Sequence, residues 1–303
     1  MTADGWSPGS QGQGSTGPGH TTLVIPQGQG SAAGHPRQLV SGAHHLATLL
    51  PTARQRVVDP PAAAGGEPDE ADGVRHLAAL TAFADATRAA LRESGDDVVL
   101  AVGGDCGIEL APVAHAVARH GGDLAVIWFD AHPDLNTPET SPSGGFHGMV
   151  LRTLLGEGPR ALLPRPEATL LARQVVLAGV RALDPAEQRC IEAEGIPSVP
   201  VQALAAPQEL VATVAATGAS HVYIHIDLDV LDPRHFAGQS CPEPDGLHPG
   251  RLRETLRALT GRFTLAGAGI TEHAPAGADS DDRALRAIVE GLGFGPGSGL
   301  GSG

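Results

Sequence analysis

Between residues 23 and 292 the chain alternates two hydrophobic periods, and this alternation restricts the possible folds more than any other feature of the sequence. Short apolar, β-branched runs begin at LVI (23), RVV (56), VVLAV (98), LAVIWF (124), QVVLAG (174), IPSVPV (196), HVYIHI (221) and FTLAGAGI (263), which predicts eight strands. The stretches 74–93, 108–120, 148–155, 185–194, 207–217, 248–260 and 281–292 place Leu, Ala, Val or Ile three and four residues apart, as amphipathic helices do. Strands that are apolar throughout are buried on both faces. Their alternation with helices therefore predicts a single α/β domain, an eight-stranded parallel sheet with helices on both faces.

The rigid part is smaller than the chain. Of 303 residues, 41 are Gly and 25 are Pro, and many of these fall in residues 1–20 and 294–303, where there is little to bury. Those segments read as tails flanking a domain at 21–293, and 60–73 reads as a long surface loop before a helix starting near Val74. With 20 Lys+Arg against 34 Asp+Glu the formal charge is −14, which argues against a nucleic-acid partner. No basic segment followed by an apolar stretch opens the chain, and no apolar run nears the ~18 residues of a membrane span. Three cysteines, Cys106, Cys190 and Cys241, are too few and odd in number for a disulfide framework, so a cytoplasmic protein is expected.

The polar chemistry follows the strands. After VVLAV comes Gly103-Gly104-Asp105-Cys106; after LAVIWF comes Asp130-Ala131-His132-Pro133-Asp134; after HVYIHI comes Asp227-Leu228-Asp229; after FTLAGAGI comes Thr271-Glu272-His273. In a parallel sheet the carboxyl edge is where loops converge on a site. Asp130, His132 and Asp134 are spaced by two, as are Asp227 and Asp229, so in extended segments each set points to one side. Carboxylates gathered this closely repel unless cations neutralise them, and Asp/His donors suit Mn²⁺ better than the sulfur-rich sites of structural zinc. A dinuclear site follows. One DxHxD alone caps a helix as readily as it binds metal; recurrence at several strand ends is what favours the metal.

From about residue 98 to 293 the sequence resembles the ureohydrolases, the arginase and agmatinase superfamily, in GGDC at 103, DAHPDLN at 130, NTPETSPSGGFHG at 136, DLDVLDP at 227 and TEHAP at 271. The resemblance implies an eight-stranded parallel α/β fold with two Mn²⁺ per chain. One ion would take Cys106, Asp130, Asp134 and Asp227, the other Asp130, His132, Asp227 and Asp229, with Asp130 and Asp227 bridging. Glu272 would hold a guanidinium and His147 would move a proton to the leaving amine; with Asp134 they form the implied catalytic set. Asn136 and Ser143 resemble residues that bind an α-carboxylate, and Asp184 resembles one that receives an α-ammonium. The implied partner is a small guanidino substrate, and the implied assembly a homotrimer or homohexamer.

The implied reaction is hydrolysis of L-arginine or a related guanidino amino acid to urea and an amine. The first alternative is an Nω-hydroxy-L-arginine amidinohydrolase or another guanidino-acid hydrolase. A zinc-dependent, deacetylase-like amidase would need one metal, and a metal-poor homologue would have no activity. Two departures from the family pattern matter. Ureohydrolases normally have histidine where this chain has Cys106, which opens the site to a divalent ion other than Mn²⁺. The loop AGQSCPEPDGL adds Glu243 and Asp245, which would favour a cation if they faced the pocket. His44 and His45 fall in an early helix and His115 and His120 in the helix after GGDC, with no second complete ligand set; Cys190 reads as a small core residue.

Overall fold

The structure is a computed structural model that describes residues 19–33, 36–50, 54–59, 70–275 and 281–294. The expected tails, apart from residues 19, 20 and 294, and residues 60–69 of the expected loop lie outside the described residues. In chain order the elements are β1 (His20–Ile25), α1 (Pro36–Thr48), β2 (Gln55–Val57), β3 (Glu70–Ala71), β4 (Val74–Arg75), α2 (Leu77–Ser94), β5 (Val98–Gly103), α3 (Leu110–His120), β6 (Leu124–Phe129), α4 (Val150–Leu154), β7 (Val175–Ala178), α5 (Pro185–Glu194), β8 (Ser198–Val199), α6 (Pro207–Ala216), β9 (His221–Asp227), α7 (Pro249–Arg262), β10 (Thr264–Thr271) and α8 (Asp282–Gly291). Eight strands form one sheet in the order β2-β1-β5-β10-β9-β6-β7-β8, every pairing parallel. The eight predicted strands are these eight.

Side-chain alternation divides the core between the two faces of the sheet. In β6, Ala125, Ile127 and Phe129 join α1, α6, α7 and α8 through Leu46, Leu210, Leu256 and Ile288. Leu124, Val126 and Trp128 point the other way, toward Leu80, Val113 and Leu151 of α2, α3 and α4. All six β6 side chains are buried, and Leu124, Val126, Ile127 and Phe129 each contribute about 1.5–3 kcal/mol. Among the described residues no helix is long and apolar enough to cross a membrane.

Three local expectations change. The helix expected from Val74 begins at Leu77, because Asp72 and Gly73, at φ 54° and 72°, turn the chain into the antiparallel hairpin β3–β4. An Asp-Gly pair favours that turn strongly. The run from Ile196 shortens to two strand residues because Pro197 and Pro200 flank it, and proline has no N–H for the ladder. At the amino end the strand read from Leu23 begins already at His20, whose ring packs edge-on against buried Phe294.

Candidate active site

The order of the sheet makes β5, β10, β9 and β6 neighbours, and their carboxyl ends carry the four polar clusters. The first cluster is held by the buried Asp105. Its carboxylate accepts from Gln27 Nε2 (3.0 Å), Gly30 N–H (2.9 Å) and Gly107 N–H (2.9 Å), tying the end of β5 to the loop after β1. The neighbouring clusters are not extended, contrary to the alternation expected from spacing. His132 N–H donates to Asp130 Oδ1 (2.6 Å) and Asp229 N–H to Asp227 Oδ1 (2.7 Å), closing two Asx turns, and Asp134 stands at φ 53°. The short carboxylate side chain competes for the nearest backbone N–H and curls the segment. Asp134, Cys241 and Glu272 all have left-handed backbones and all line one cavity. Such conformations cost of order 1–3 kcal/mol each and concentrate at functional sites.

The six expected residues come together at this edge, with donor atoms in smaller groups, one of which joins Cys106 and Asp227 to Glu272. Cys106 Sγ donates to Asp227 Oδ2 at 3.0 Å, and His132 Nδ1 lies 2.9 Å from Asp229 Oδ2 and 3.5 Å from Asp130 Oδ1. Single donor atoms of Asp130, His132 and Asp229 lie within 4.8 Å of one another, as do those of Cys106, Asp130 and Asp134. Asp130, Asp134, Asp227 and Asp229 are all buried, and Asp134 Oδ2 and Glu272 Oε2 have no hydrogen-bond partner. Buried carboxylates with free oxygens beside an imidazole and a thiol fit divalent cations well; hydrogen bonding alone leaves them unsatisfied.

Electrostatics points the same way. Burial, and then the charge of Asp130, pushes Asp229 up to about 7 despite its bond from His132. Burial and Glu272 raise Asp105 to about 7. Asp134 and Asp227 are raised as well, by burial first and then by Asp130 and Asp229 respectively. Burial opposes the charge on His132, but its bonds to Asp130 and Asp229 outweigh it and lift the imidazole to about 12. Burial, then Asp227, pushes the Cys106 thiol up. A carboxyl group whose pKa is higher folded than unfolded stabilises the fold below the unfolded value and loses that contribution as pH rises through the folded one. His115, His120 and His273, lowered chiefly by burial, act oppositely through smaller shifts. Metal-free protein is therefore expected to melt at a lower temperature at pH 7.5 than at pH 5, and Mn²⁺ to restore the loss. Calorimetry with chelator and with Mn²⁺ checks this; a metal-free melting temperature that rises over the interval contradicts it.

The cavity beside this cluster has a volume of about 130 Å³. His147 and Glu272 meet on one wall, Nδ1 to Oε1 at 3.6 Å, and Glu272 Oε1 accepts from Cys106 N–H at 3.1 Å. Asn136, Ser143 and Asp184 also line it. Asn136 Nδ2 donates to Asp184 Oδ2 at 3.0 Å, so one of its two donors holds Asp184 and one is left for a ligand. Ser143 Oγ accepts from Gly145 N–H at 3.1 Å and lies 3.5 Å from Ser141 Oγ, a pair in which either hydroxyl can donate. Glu243 and Asp245 do not line the cavity: Arg181 binds the Glu243 carbonyl, and Asp245 turns outward to Arg234.

Three further residues belong to the site. Buried Glu187 lines the cavity and accepts from Leu135 N–H (3.0 Å) and Asp184 N–H (2.8 Å), joining the loop after β6 to the start of α5. Its place three residues after Asp184 is a capping-box signal. Cys241 lines the cavity from a loop with no motif of its own. His225, fully buried under the cluster, lies two residues before Asp227 on the same face of β9.

A doubly covered parallel sheet with a largely buried Cys/His/Asp cluster at its carboxyl edge and a small polar cavity beside it defines an α/β protein whose clustered side chains could hold a metal ion next to a pocket. The match to the arginase family model over residues 35–291 places the chain in that family. It starts well before residue 98, where the recognisable motifs begin. The chain is 33% identical over 182 residues to an arginase of Staphylococcus aureus (strain COL), covering 58% of this chain and 60% of that one, less than two thirds of the relative's length. It is 34% identical over 211 residues to the N(omega)-hydroxy-L-arginine amidinohydrolase of Streptomyces lavendulae, covering 68% of this chain and 72% of that protein. Its fold is similar to that of Entamoeba histolytica arginase in complex with L-ornithine, with a TM-score of 0.78 at 22% identity, over 90% of this chain and 97% of the other. Similarity to Bacillus caldovelox arginase has a TM-score of 0.76 at 25% identity, over 92% and 99%.

Proposed function

We propose that this chain is a dinuclear metal hydrolase that cleaves the guanidino group of L-arginine or a closely related guanidino amino acid to urea and an amine. The observation that carries the reading is one cavity with two chemically different sides. His132, Asp134, Asp227 and Asp229 line one part of it, with Cys106 and Asp130 against Asp227 and His132, and Asn136, Ser143 and Asp184 line another. Cys106, Asp130, Asp134 and Asp227 would hold one ion and Asp130, His132, Asp227 and Asp229 the other, Mn²⁺ being the ion that these mainly hard donors suit. When bound, two such ions supply the Lewis-acid activation of water that the hydrolysis needs near neutral pH. Glu272, with one oxygen unpartnered, is the carboxylate partner for a planar guanidinium. His147, within 3.6 Å of that carboxylate, is placed to pass a proton to the departing amine. At the rim Asp184 receives an α-ammonium, while the free donor of Asn136 and the Ser143 hydroxyl receive an α-carboxylate.

One observation favours a second reading, an Nω-hydroxy-L-arginine substrate. Cys106 departs from the histidine of the family pattern, and a relative of that activity aligns over 72% of its own length. Urea or hydroxyurea release from L-arginine, Nω-hydroxy-L-arginine and agmatine under Mn²⁺ loading separates the cases. An α-amino acid is expected to exceed agmatine by orders of magnitude. Asp184→Ala should raise KM for it about 10–100-fold, the worth of one charged hydrogen bond, with a smaller change in kcat. A preference for agmatine would overturn the substrate assignment.

A further inference from the structure

A second layer of buried polar groups lies beneath the cluster, on the face of the sheet covered by α3. Tyr223, His225 and Asp227 follow one another along one face of β9, with period two, and the first two have no solvent exposure beyond 1%. Tyr223 donates its hydroxyl to Glu109 Oε2 at 2.6 Å. The other oxygen of Glu109 faces His225 Nδ1 at 3.7 Å, and both of these atoms lack a hydrogen-bond partner. His225 Nε2 points the opposite way, 3.7 Å from Asp130 Oδ2 and 3.8 Å from Cys106 Sγ. Trp128 stacks on the imidazole with ring centroids 3.6 Å apart and donates Nε1–H to Asp130 Oδ2 at 3.2 Å. The neighbouring strand is cut away to admit this layer: a Cβ on Gly269 would stand 1.4 Å from Glu109 Oε1.

Burying a carboxylate and an imidazole without good hydrogen bonds costs several kcal/mol, so a layer left this loosely bonded is incomplete as drawn by the protein alone. A cation completes it. Donor atoms of Cys106, Asp130, Asp134 and His225, one from each residue, lie within 4.8 Å of one another. Donors that share one ion at about 2.0–2.3 Å span about 4.6 Å at most, so the four can close on a single ion with small adjustments. A metal-bound imidazole then needs a carboxylate or carbonyl on its other nitrogen to fix its tautomer and orientation, which is the position Glu109 occupies.

We propose that His225 is a metal ligand of this site through Nε2, and that Glu109, itself held by Tyr223, is the positioning residue that orients it. The inference rests on the reading of the cluster as a metal centre. It adds a neutral donor from inside the sheet to an otherwise anionic set, on the side of Cys106 and away from His132.

The test uses this chain loaded with Cu²⁺ or Mn²⁺ and reads ¹⁴N couplings of bound imidazole by electron spin-echo spectroscopy. In His132→Ala the coupling should persist, now from His225 alone; in His132→Ala/His225→Gln it should vanish. Persistence in the double variant, or loss in the single variant while metal stays bound, overturns the assignment of His225 but leaves the metal centre standing. Failure of the wild-type chain to bind any divalent ion overturns the metal reading itself. If His132→Ala does not fold, Glu109→Gln in the wild-type background serves: metal affinity by chelator competition should weaken about 10–100-fold, as for other partners of ligating histidines. Tyr223→Phe should weaken it less. Unchanged affinity in Glu109→Gln would show that the buried layer is structural only.

Discussion

Asp227→Asn is expected to lower turnover by on the order of 10³-fold or more while the fold persists. The Asp227 carboxylate does two jobs at the end of β9. Its Oδ1 closes the Asx turn with Asp229 N–H at 2.7 Å, and its Oδ2 receives the Cys106 thiol at 3.0 Å. Asparagine keeps an oxygen for the turn, so the local backbone survives, but it removes a charge that both ions would share. Losing a shared anionic donor should cost more than the roughly 10–100-fold lost when only the partner of a ligand is changed. Stability should move in the opposite direction. Burial and the neighbouring Asp229 and Asp130 oppose charge on Asp227, so the metal-free variant should melt at a higher temperature than metal-free wild type at pH 7.5. Urea release and calorimetry on one preparation check both signs; near-normal turnover would mean that the site lies elsewhere.

Gly104→Ala is expected to damage folding as severely as Asp227→Asn damages activity. A Cβ at Gly104 would stand 1.5 Å from the Gln27 carbonyl oxygen and 2.5 Å from its carbon, atoms of the backbone that no rotamer change can move away. The same residue donates its N–H to Ile25 O (3.1 Å) and accepts from Glu272 N–H (2.7 Å), so it joins the ends of β1, β5 and β10. Relief requires the strand ends to part. A loss of about 3 kcal/mol or more is expected, at or beyond the upper end for overpacking because the clash is with backbone, read as a shift in the urea midpoint or a failure to fold. A change within about 0.5 kcal/mol, the range of an ordinary surface substitution, would contradict the geometry.

Burial decided what was legible in the sequence. The eight strands could be read because both faces of the sheet are covered, leaving apolar runs such as LAVIWF whose neighbours in space hardly matter. Strand order could not be read: nothing in FTLAGAGI says that β10 inserts between β5 and β9, and that insertion is what brings Glu272 beside Cys106. The six candidate ligands stood out because they follow strand ends, although spacing alone does not explain how they come together. Asx turns and a left-handed Asp134 curl these segments, so that among the polar positions of the site period-two alternation is kept inside β9. There it was overlooked, because in HVYIHI the polar side chains of Tyr223 and His225 sit within a run whose apolar majority reads as core. Glu109 was hidden in the same way, in the single turn that leads into α3. Its role depends on Gly269, a residue 160 positions away that no local pattern connects to it. The Asp72-Gly73 turn, by contrast, was a strong local signal that helical periodicity beginning at Val74 obscured.

The proposed hydrolysis requires two divalent ions at the carboxyl edge of β5, β6 and β9. The most direct test strips the chain with a chelator, reloads it with Mn²⁺ in steps, and measures metal content by elemental analysis alongside urea release from the preferred guanidino amino acid. Saturation at two ions per chain, no turnover in the stripped protein, and activity that returns as the second ion binds are expected. Full activity with one ion or fewer per chain, or turnover that survives complete removal of metal, would contradict the proposed hydrolysis.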